Sequence, residues 1–235
     1  MKKFLTARWQ NLVMANYEIE PSVLEEFVPS GTELDLHNGK CFVSLVAFMF
    51  LDTRVQGFLI PMHINFEEVN LRFYVKRETE NEIRRGVTFI KEIVPKTAIA
   101  KVARTFYGEP YEKGEMSHTK SKNELVYAWW KADERYKIAV IIGENMGVPD
   151  ENSHGEFIIE HYWGYTKRGE NRTDEYKVEH SKWELFAIND FELKADFGKL
   201  YGEQFAFMNA EKPFSIFMAK GSEVSVYKSA KLKIE

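Results

Sequence analysis

Glu68-Val69-Asn70-Leu71-Arg72-Phe73-Tyr74-Val75 is the stretch on which the fold of this chain turns. In an extended strand, successive side chains point to opposite faces. Val69, Leu71, Phe73 and Val75 then share one apolar face, and Glu68, Asn70 and Arg72 share the other. An acid, an amide and a guanidinium at strict period 2 fit two arrangements. One is the solvated outer face of a sheet; the other is the polar lining of a barrel that holds a small ligand.

The flanking sequence bears on that choice. Upstream, residues 10–19 read as a strand, and Pro21-Ser22 opens a short helix with Ser22 as N-cap and Glu25 three residues on. Pro29-Ser30-Gly31 ends it, and Asn38-Gly39 marks a hairpin turn after residues 32–37. Residues 41–51 are apolar at both parities, the pattern of a strand buried between two layers. A loop over 53–61 leads into the opening motif. Downstream, 86–93 reads as a strand. Pro95-Lys96-Thr97 opens a helix whose face is Ile99, Val102, Ala103 and Phe106, stopped by Gly108. Further strands are predicted at 125–131, 136–143, 156–165, 174–180, 183–191, 214–219 and 223–228, with hairpin turns at Asp133-Glu134 and Arg168–Asn171 and a helix over 196–207. Many strands with a few helices predict a mainly β (α+β) antiparallel barrel, closed or partly closed, with peripheral helices. No repeat or linker interrupts it, so residues 1–235 read as a single domain.

Composition narrows the function classes. A hydrophobic content of 44% with 14% aromatic residues describes a chain that buries a core. A net charge of −4 offers no general attraction to nucleic acid or anionic membrane, and the basic stretch Lys91–Arg104 (Lys91, Lys96, Lys101, Arg104), diluted by Glu92, reads as a solvated face. The single Cys41 rules out an intramolecular disulfide and a cysteine-rich metal site. No stretch is long and apolar enough for a membrane helix, and Arg8, Gln10 and Asn11 break what begins like a signal peptide. The expectation is a cytoplasmic protein without metal or cofactor. The six histidines are scattered, and Glu115-x-x-His118 and Glu151-x-x-His154 fall in polar, loop-like stretches.

Several motifs together carry a resemblance. They are Trp9-x-Asn11-Leu12, Phe66-Glu67-Glu68-Val69-Asn70-Leu71-Arg72-x-Tyr74-Val75, Arg85-Gly86-Val87-x-Phe89, Ala103-Arg104 with Pro110-Tyr111, and His180-Ser181-x-Trp183. Nearly end to end, the chain resembles the YqjF-like family of uncharacterised proteins (domain of unknown function 2071), placed with the acetoacetate decarboxylase-like fold. That resemblance implies a cone-shaped antiparallel β-barrel with a central cavity. It also implies a Schiff-base lysine in a Pro-Lys-Lys motif. Pro95-Lys96 is similar to its first half, which puts Lys96 at the nucleophile, but Thr97 replaces the second lysine and its helpful charge. Phe66-Glu67-Glu68 is similar to the cavity strand that carries an acid, at Glu68, and Ser44 stands where that family has a second glutamate.

Candidate residues follow, each with a plain alternative. Lys96 is a Schiff-base nucleophile or an exposed lysine in the first turn of a helix. Glu68 is an acid/base group, and Arg72 with Asn70 clamps a carboxylate or carbonyl, or all three form a structural network. His63 and Tyr74 join the substrate-binding set, as a cavity imidazole and phenol or as packed side chains. His161, Tyr162 and Tyr165 line the cavity mouth from a strand or are core or rim aromatics, and the spacing of His180 and Trp183 suggests a turn anchor more than a ligand pair. The function expected is binding of a small carboxylate or keto acid in a barrel cavity, with lyase or decarboxylase chemistry if Lys96 is the nucleophile. The alternative is a non-catalytic binding or structural protein. Association into homo-oligomers stays open.

Overall fold

A computed structural model describes residues 2–61, 63–95 and 108–232. Its strands, in chain order, are β1 (Lys3–Ile19), β2 (Glu33–Leu34), β3 (Cys41–Val55), β4 (Phe58–Leu59), β5 (Phe66–Glu78), β6 (Ile83–Val94), β7 (Tyr111–Lys113) and β8 (Glu115–Lys120). There follow β9 (Glu124–Lys131), β10 (Glu134–Gly147), β11 (Trp163–Gly169), β12 (Arg172–His180), β13 (Leu185–Lys194), β14 (Ser215–Tyr227) and β15 (Ala230–Lys231). Three short helices interrupt them: α1 (Pro21–Leu24), α2 (His154–Ile159) and α3 (Phe197–Tyr201).

Strand pairing runs β12, β11, β6, β5, β3, β1, β14, and β14 pairs back onto β12 through Val178–Val226 and its neighbours. The sheet thereby closes on itself and removes its own edges there. Most pairs are antiparallel; β11 and β7 each meet β6 in parallel. Beyond the ring, β14 continues into β13, β10, β9 and β8.

The two faces of the ring bury different cores. Val13 and Ala15 of β1, Val43 and Leu45 of β3, and Val69, Leu71, Phe73 and Val75 of β5 pack outward with Tyr127, Trp129 and Ile138 of the β9–β10 arm. Leu12 and Met14, Phe48 and Phe50, and Phe66 pack inward with Trp183. β3 is therefore buried on both faces, as its double apolar parity predicts, and the strands 124–131, 134–147 and 172–180 fall where expected to within a few residues. The chain has the mainly β architecture expected from its strand pattern, with short helices at the periphery. No helix among the described residues is long and apolar enough to cross a membrane.

Some elements differ from expectation. The sequence predicts a strand over 156–165, but 154–159 form α2, because Ser153 accepts a hydrogen bond from Glu156 N at 3.2 Å and caps it. The short run Phe157-Ile158-Ile159 suits a buried helix turn as well as a strand. Ser22 does not cap α1; Pro21 takes the first helical position and Glu20 precedes it. Gly202, with φ of 124°, divides the expected 196–207 helix into α3 and a 3-10 segment over Glu203–Asn209. The two final strands are one, β14, running through Gly221 at φ 81°, where a Cβ would collide with the carbonyl of Trp9. The helix expected after Pro95 falls on 96–107, outside the described residues.

Candidate functional site

The β5 row faces the inside of the ring, and its three polar side chains are buried: Glu68 is 2%, Asn70 1% and Arg72 8% exposed. The solvated-face arrangement is thus excluded. These residues line a cavity of about 160 Å³, together with Trp9, Phe48, Phe50, Phe66 and Trp183.

Neighbouring strands add two more carboxyls. β5 and β6 slip by one residue between Leu71 and Arg72, so Arg72 lies opposite Phe89 while Asn70 lies opposite Glu92. A one-residue bulge reverses the alternation of side chains beyond it. Phe89 and Glu92 consequently both line the cavity, although three residues apart, and Ile90 packs in the outer core. Glu109 lines the same wall just before β7, whose Tyr111 is the parallel partner of Glu92.

Glu68, Glu92 and Glu109 form one hydrogen-bonded group. Asn70 Nδ2 donates to Glu68 Oε1 at 2.9 Å, and the Tyr111 hydroxyl donates to Glu68 Oε2 at 3.2 Å. Glu92 and Glu109 bond through their carboxyls, and the Tyr176 hydroxyl donates to Glu109. A Cβ on Gly164 would overlap that phenol, so only glycine lets Tyr176 lie across β11. Burial pushes all three carboxyls well above the usual carboxylate range; for Glu68 and Glu92 the charge of Glu109 adds to the effect. The group holds protons that isolated glutamates would release at neutral pH.

Arg72 is the opposite case. Its Nη2 donates to the Ile158 carbonyl at 3.4 Å, Nε has no hydrogen-bond partner, and the guanidinium lies 5.8 Å from the Tyr74 ring. Among the described residues it makes no ion pair with a carboxylate. A cation buried without a carboxylate bears a desolvation cost that an anionic ligand would offset. The remaining polar lining is imidazole. His161 has its Nε2 3.4 Å from Asp35 and no partner for Nδ1, and burial brings its pKa down to about 4. His180 is stacked between Tyr162 and Trp183, at 4.7 and 4.1 Å, and burial lowers it likewise to about 4. Both are neutral at pH 7. Among the described residues no group of His, Cys, Asp or Glu is placed to hold a metal ion.

The expected site residues divide accordingly. Glu68, Asn70 and Arg72 come together at the cavity, and His63 lies at its rim with Nδ1 2.8 Å from the Pro61 carbonyl. Tyr74 does not line it. Its hydroxyl is 2.6 Å from Ser44 Oγ, which in turn donates to Asn16, and its ring is covered by Phe157 and His161. Tyr162 and Tyr165 also lie outside the lining, whereas His161 reaches it, and His180 and Trp183 form part of the wall rather than a simple turn anchor. Lys96 lies outside the described residues. The sequence reading misses Glu92 and Glu109, because the period-2 alternation of residues 86–93 places Glu92 on the wrong face. The one available signal is the adjacent charged pair Lys91-Glu92 inside a strand whose neighbours Phe89, Ile90, Ile93 and Val94 are apolar.

Comparison with known proteins agrees with this architecture. Acetoacetate decarboxylase from Legionella pneumophila subsp. pneumophila str. Philadelphia 1 superposes with a TM-score of 0.69 at 12% identity, over 99% of this chain and 88% of that one. The enduracididine biosynthesis enzyme MppR, complexed with the condensation product of pyruvate and imidazole 4-carboxaldehyde, gives 0.68 at 12% identity, over 100% and 91%. MppR is also known in complex with pyruvate. At such identities the shared property is the acetoacetate decarboxylase-like fold. In sequence, the uncharacterized protein YqjF of Bacillus subtilis (strain 168) is 25% identical over 181 residues, 75% of this chain and 73% of YqjF. Residues 6–223 match the family DUF2071, described as "Uncharacterized conserved protein (COG2071)", and the chain belongs to that family.

Proposed function

We propose that the ring cavity binds a small carboxylate or keto acid. The observation that carries this reading is Arg72: a buried guanidinium on the cavity wall, with a free Nε and no carboxylate partner among the described residues. A carboxylate placed against it gains charge-assisted, bidentate hydrogen bonds in a water-poor site. Asn70, whose Oδ1 is also unpartnered, and protonated Glu68 supply polar contacts beside it. Glu68 in its acid form is suited to donate a proton to a developing oxyanion or carbanion. That MppR, of the same fold, is complexed with pyruvate and a pyruvate condensation product supports the ligand class.

A stronger form of the reading adds Schiff-base chemistry at Lys96. It rests on the resemblance of Pro95-Lys96 to the first half of a Pro-Lys-Lys motif.

The test is calorimetric titration with pyruvate, acetoacetate and longer keto acids, using wild type and Arg72→Met. Loss of a charged hydrogen-bond partner worth about 1.5–3 kcal/mol should weaken binding roughly 10- to 100-fold. Equal affinities in the two proteins, or no binding by wild type, would remove the carboxylate reading and leave the polar row as a structural network.

A further inference from the structure

Two acceptor oxygens in the cavity wall have no donor among the described residues. Glu92 is 2% exposed and its Oε2 has no hydrogen-bond partner; Asn70 is 1% exposed and its Oδ1 has none. Both residues line the cavity, and they are cross-strand partners on β6 and β5. Directly opposed residues carry their Cβ atoms about 4.5–5.5 Å apart, so one ligand atom can reach both side chains. A buried acceptor left without a hydrogen costs free energy that a ligand donor recovers. The donors nearest to hand are committed. Asn70 Nδ2 serves Glu68, and the proton shared by Glu92 and Glu109 lies between those two carboxyls.

The kind of donor follows from the surroundings. Two acceptors call for two hydrogens on one ligand atom; a keto oxygen brings none, a hydroxyl one and an ammonium three. Behind Glu92 stands Glu109, raised only to about 7 with Arg168 and Tyr176 facing it, whereas Glu92 is raised further by burial and by the charges of Glu109 and Glu68. Glu92 therefore keeps the shared proton, and the pair passes from neutral to singly negative near neutral pH. A cation laid against the pair is favoured by that charge and draws it toward the ionised form. Two residues along β5, Arg72 presents the opposite charge on the same wall. The wall thus complements the two charges of a zwitterion.

Volume limits what joins them. About 160 Å³ is roughly the liquid volume of five water molecules. That admits a short aliphatic chain beside the two polar groups, against the stacked rings of Phe50 and Phe66 at 4.7 Å.

We infer that the cavity holds a small aliphatic amino acid as its zwitterion, with the carboxylate on Arg72 and the ammonium donating to Asn70 Oδ1 and Glu92 Oε2. The inference rests on the carboxylate reading of Arg72 and narrows it.

Four molecules of one carbon skeleton, differing only at the second carbon, test it: L-2-aminobutyrate, L-2-hydroxybutyrate, 2-oxobutyrate and butyrate, titrated calorimetrically into the full chain at pH 7. The amino acid should bind at least about tenfold more tightly than each of the other three. Glu92→Leu removes one acceptor and the carboxyl pair, and should abolish that advantage over butyrate while Arg72 still holds butyrate itself. An advantage that survives Glu92→Leu would place the ammonium elsewhere and overturn the inference. Should Glu92→Leu fail to fold, the wild-type comparison still decides. If any of the other three comes within tenfold of the amino acid, and Arg72→Met weakens its binding, the inference falls while the carboxylate reading survives. If Arg72→Met leaves every affinity unchanged, or none of the four binds, both fall.

Discussion

Asn70 and Glu92 are cross-strand partners on the inner face of the ring, although Arg72, two residues from Asn70, pairs with Phe89, three residues from Glu92. The one-residue discrepancy is the bulge at Ile90, and it brings a second acid beside Glu68. Without it Lys91 would face the cavity. Instead Lys91 turns outward, pairing with Glu112 at 3.2 Å and donating to the Leu200 carbonyl.

Arg72→Met distinguishes a binding residue from a structural one. Breaking a buried ion pair costs about 3–5 kcal/mol, because the surviving partner is left charged and unpaired. Arg72 has no such partner among the described residues, so the variant should lose less than about 1 kcal/mol by urea denaturation, or gain stability. A loss above about 3 kcal/mol would make the guanidinium part of the scaffold.

The carboxyl group should make stability fall in alkaline solution. Glu68 is raised from 4.5 to about 8, chiefly by burial, with Asn70, Tyr111, Arg72 and Glu109 around it. Above 4.5 the unfolded chain has released a proton that the folded chain keeps, so folding takes up protons in this window. The stabilisation is fully present below the unfolded value and is lost as pH rises through the folded one. Glu92 shifts the same way under burial and the charges of Glu109 and Glu68, while Arg168 and Tyr176 face Glu109. The urea midpoint should drop between pH 6 and 9, and Glu92→Gln should flatten that slope. An unchanged midpoint in wild type would show that the group is ionised in the folded state.

Histidines set the acid limb. Burial lowers His154, His161 and His180 from 6.5 to about 4. Between those values the unfolded chain binds protons that the folded chain refuses, so stability falls as pH drops from 6.5 toward 4. His161 meets Asp35, Arg85 and Arg72; His180 meets Arg72 and the Ser181 carbonyl; His154 meets His37. Replacing His161 with Gln should shallow this limb, checked by the same midpoint measured at pH 4.5 and 6.5.

Gly164→Ala should push the Tyr176 phenol away from Glu109, because the added methyl overlaps the ring. Overpacking of this kind costs about 1–3 kcal/mol. Tyr176→Phe removes only the hydroxyl and should cost less, about 1 kcal/mol. Equal stability of Gly164→Ala and wild type would mean that the strand yields without moving the phenol.

Borohydride trapping with pyruvate or acetoacetate tests Lys96 directly. A Schiff-base lysine gives a reduced adduct on the peptide containing Lys96, lost in Lys96→Ala, as read by intact mass and peptide mapping. The absence of an adduct from wild type, under conditions where the same acids bind, would leave a binding protein without imine chemistry.

The sequence alone determined most of the strands, the double burial of β3, the grouping of Glu68, Asn70 and Arg72 on one face of β5 and the family resemblance. Each of these depends on local alternation, and period 2 is written directly in residue order. It left open whether the row faced water, because one alternating segment reads the same on either side of a sheet. It misplaced 156–165, where three consecutive apolar residues carry no period, and it passed over Glu92 and Glu109. Only the tertiary structure decided those points. The bulge at Ile90 is set by how β6 registers on β5, ring closure through β12 and β14 joins residues dozens of positions apart, and the proton held among three carboxyls exists because burial and mutual repulsion act only once the strands have brought them together.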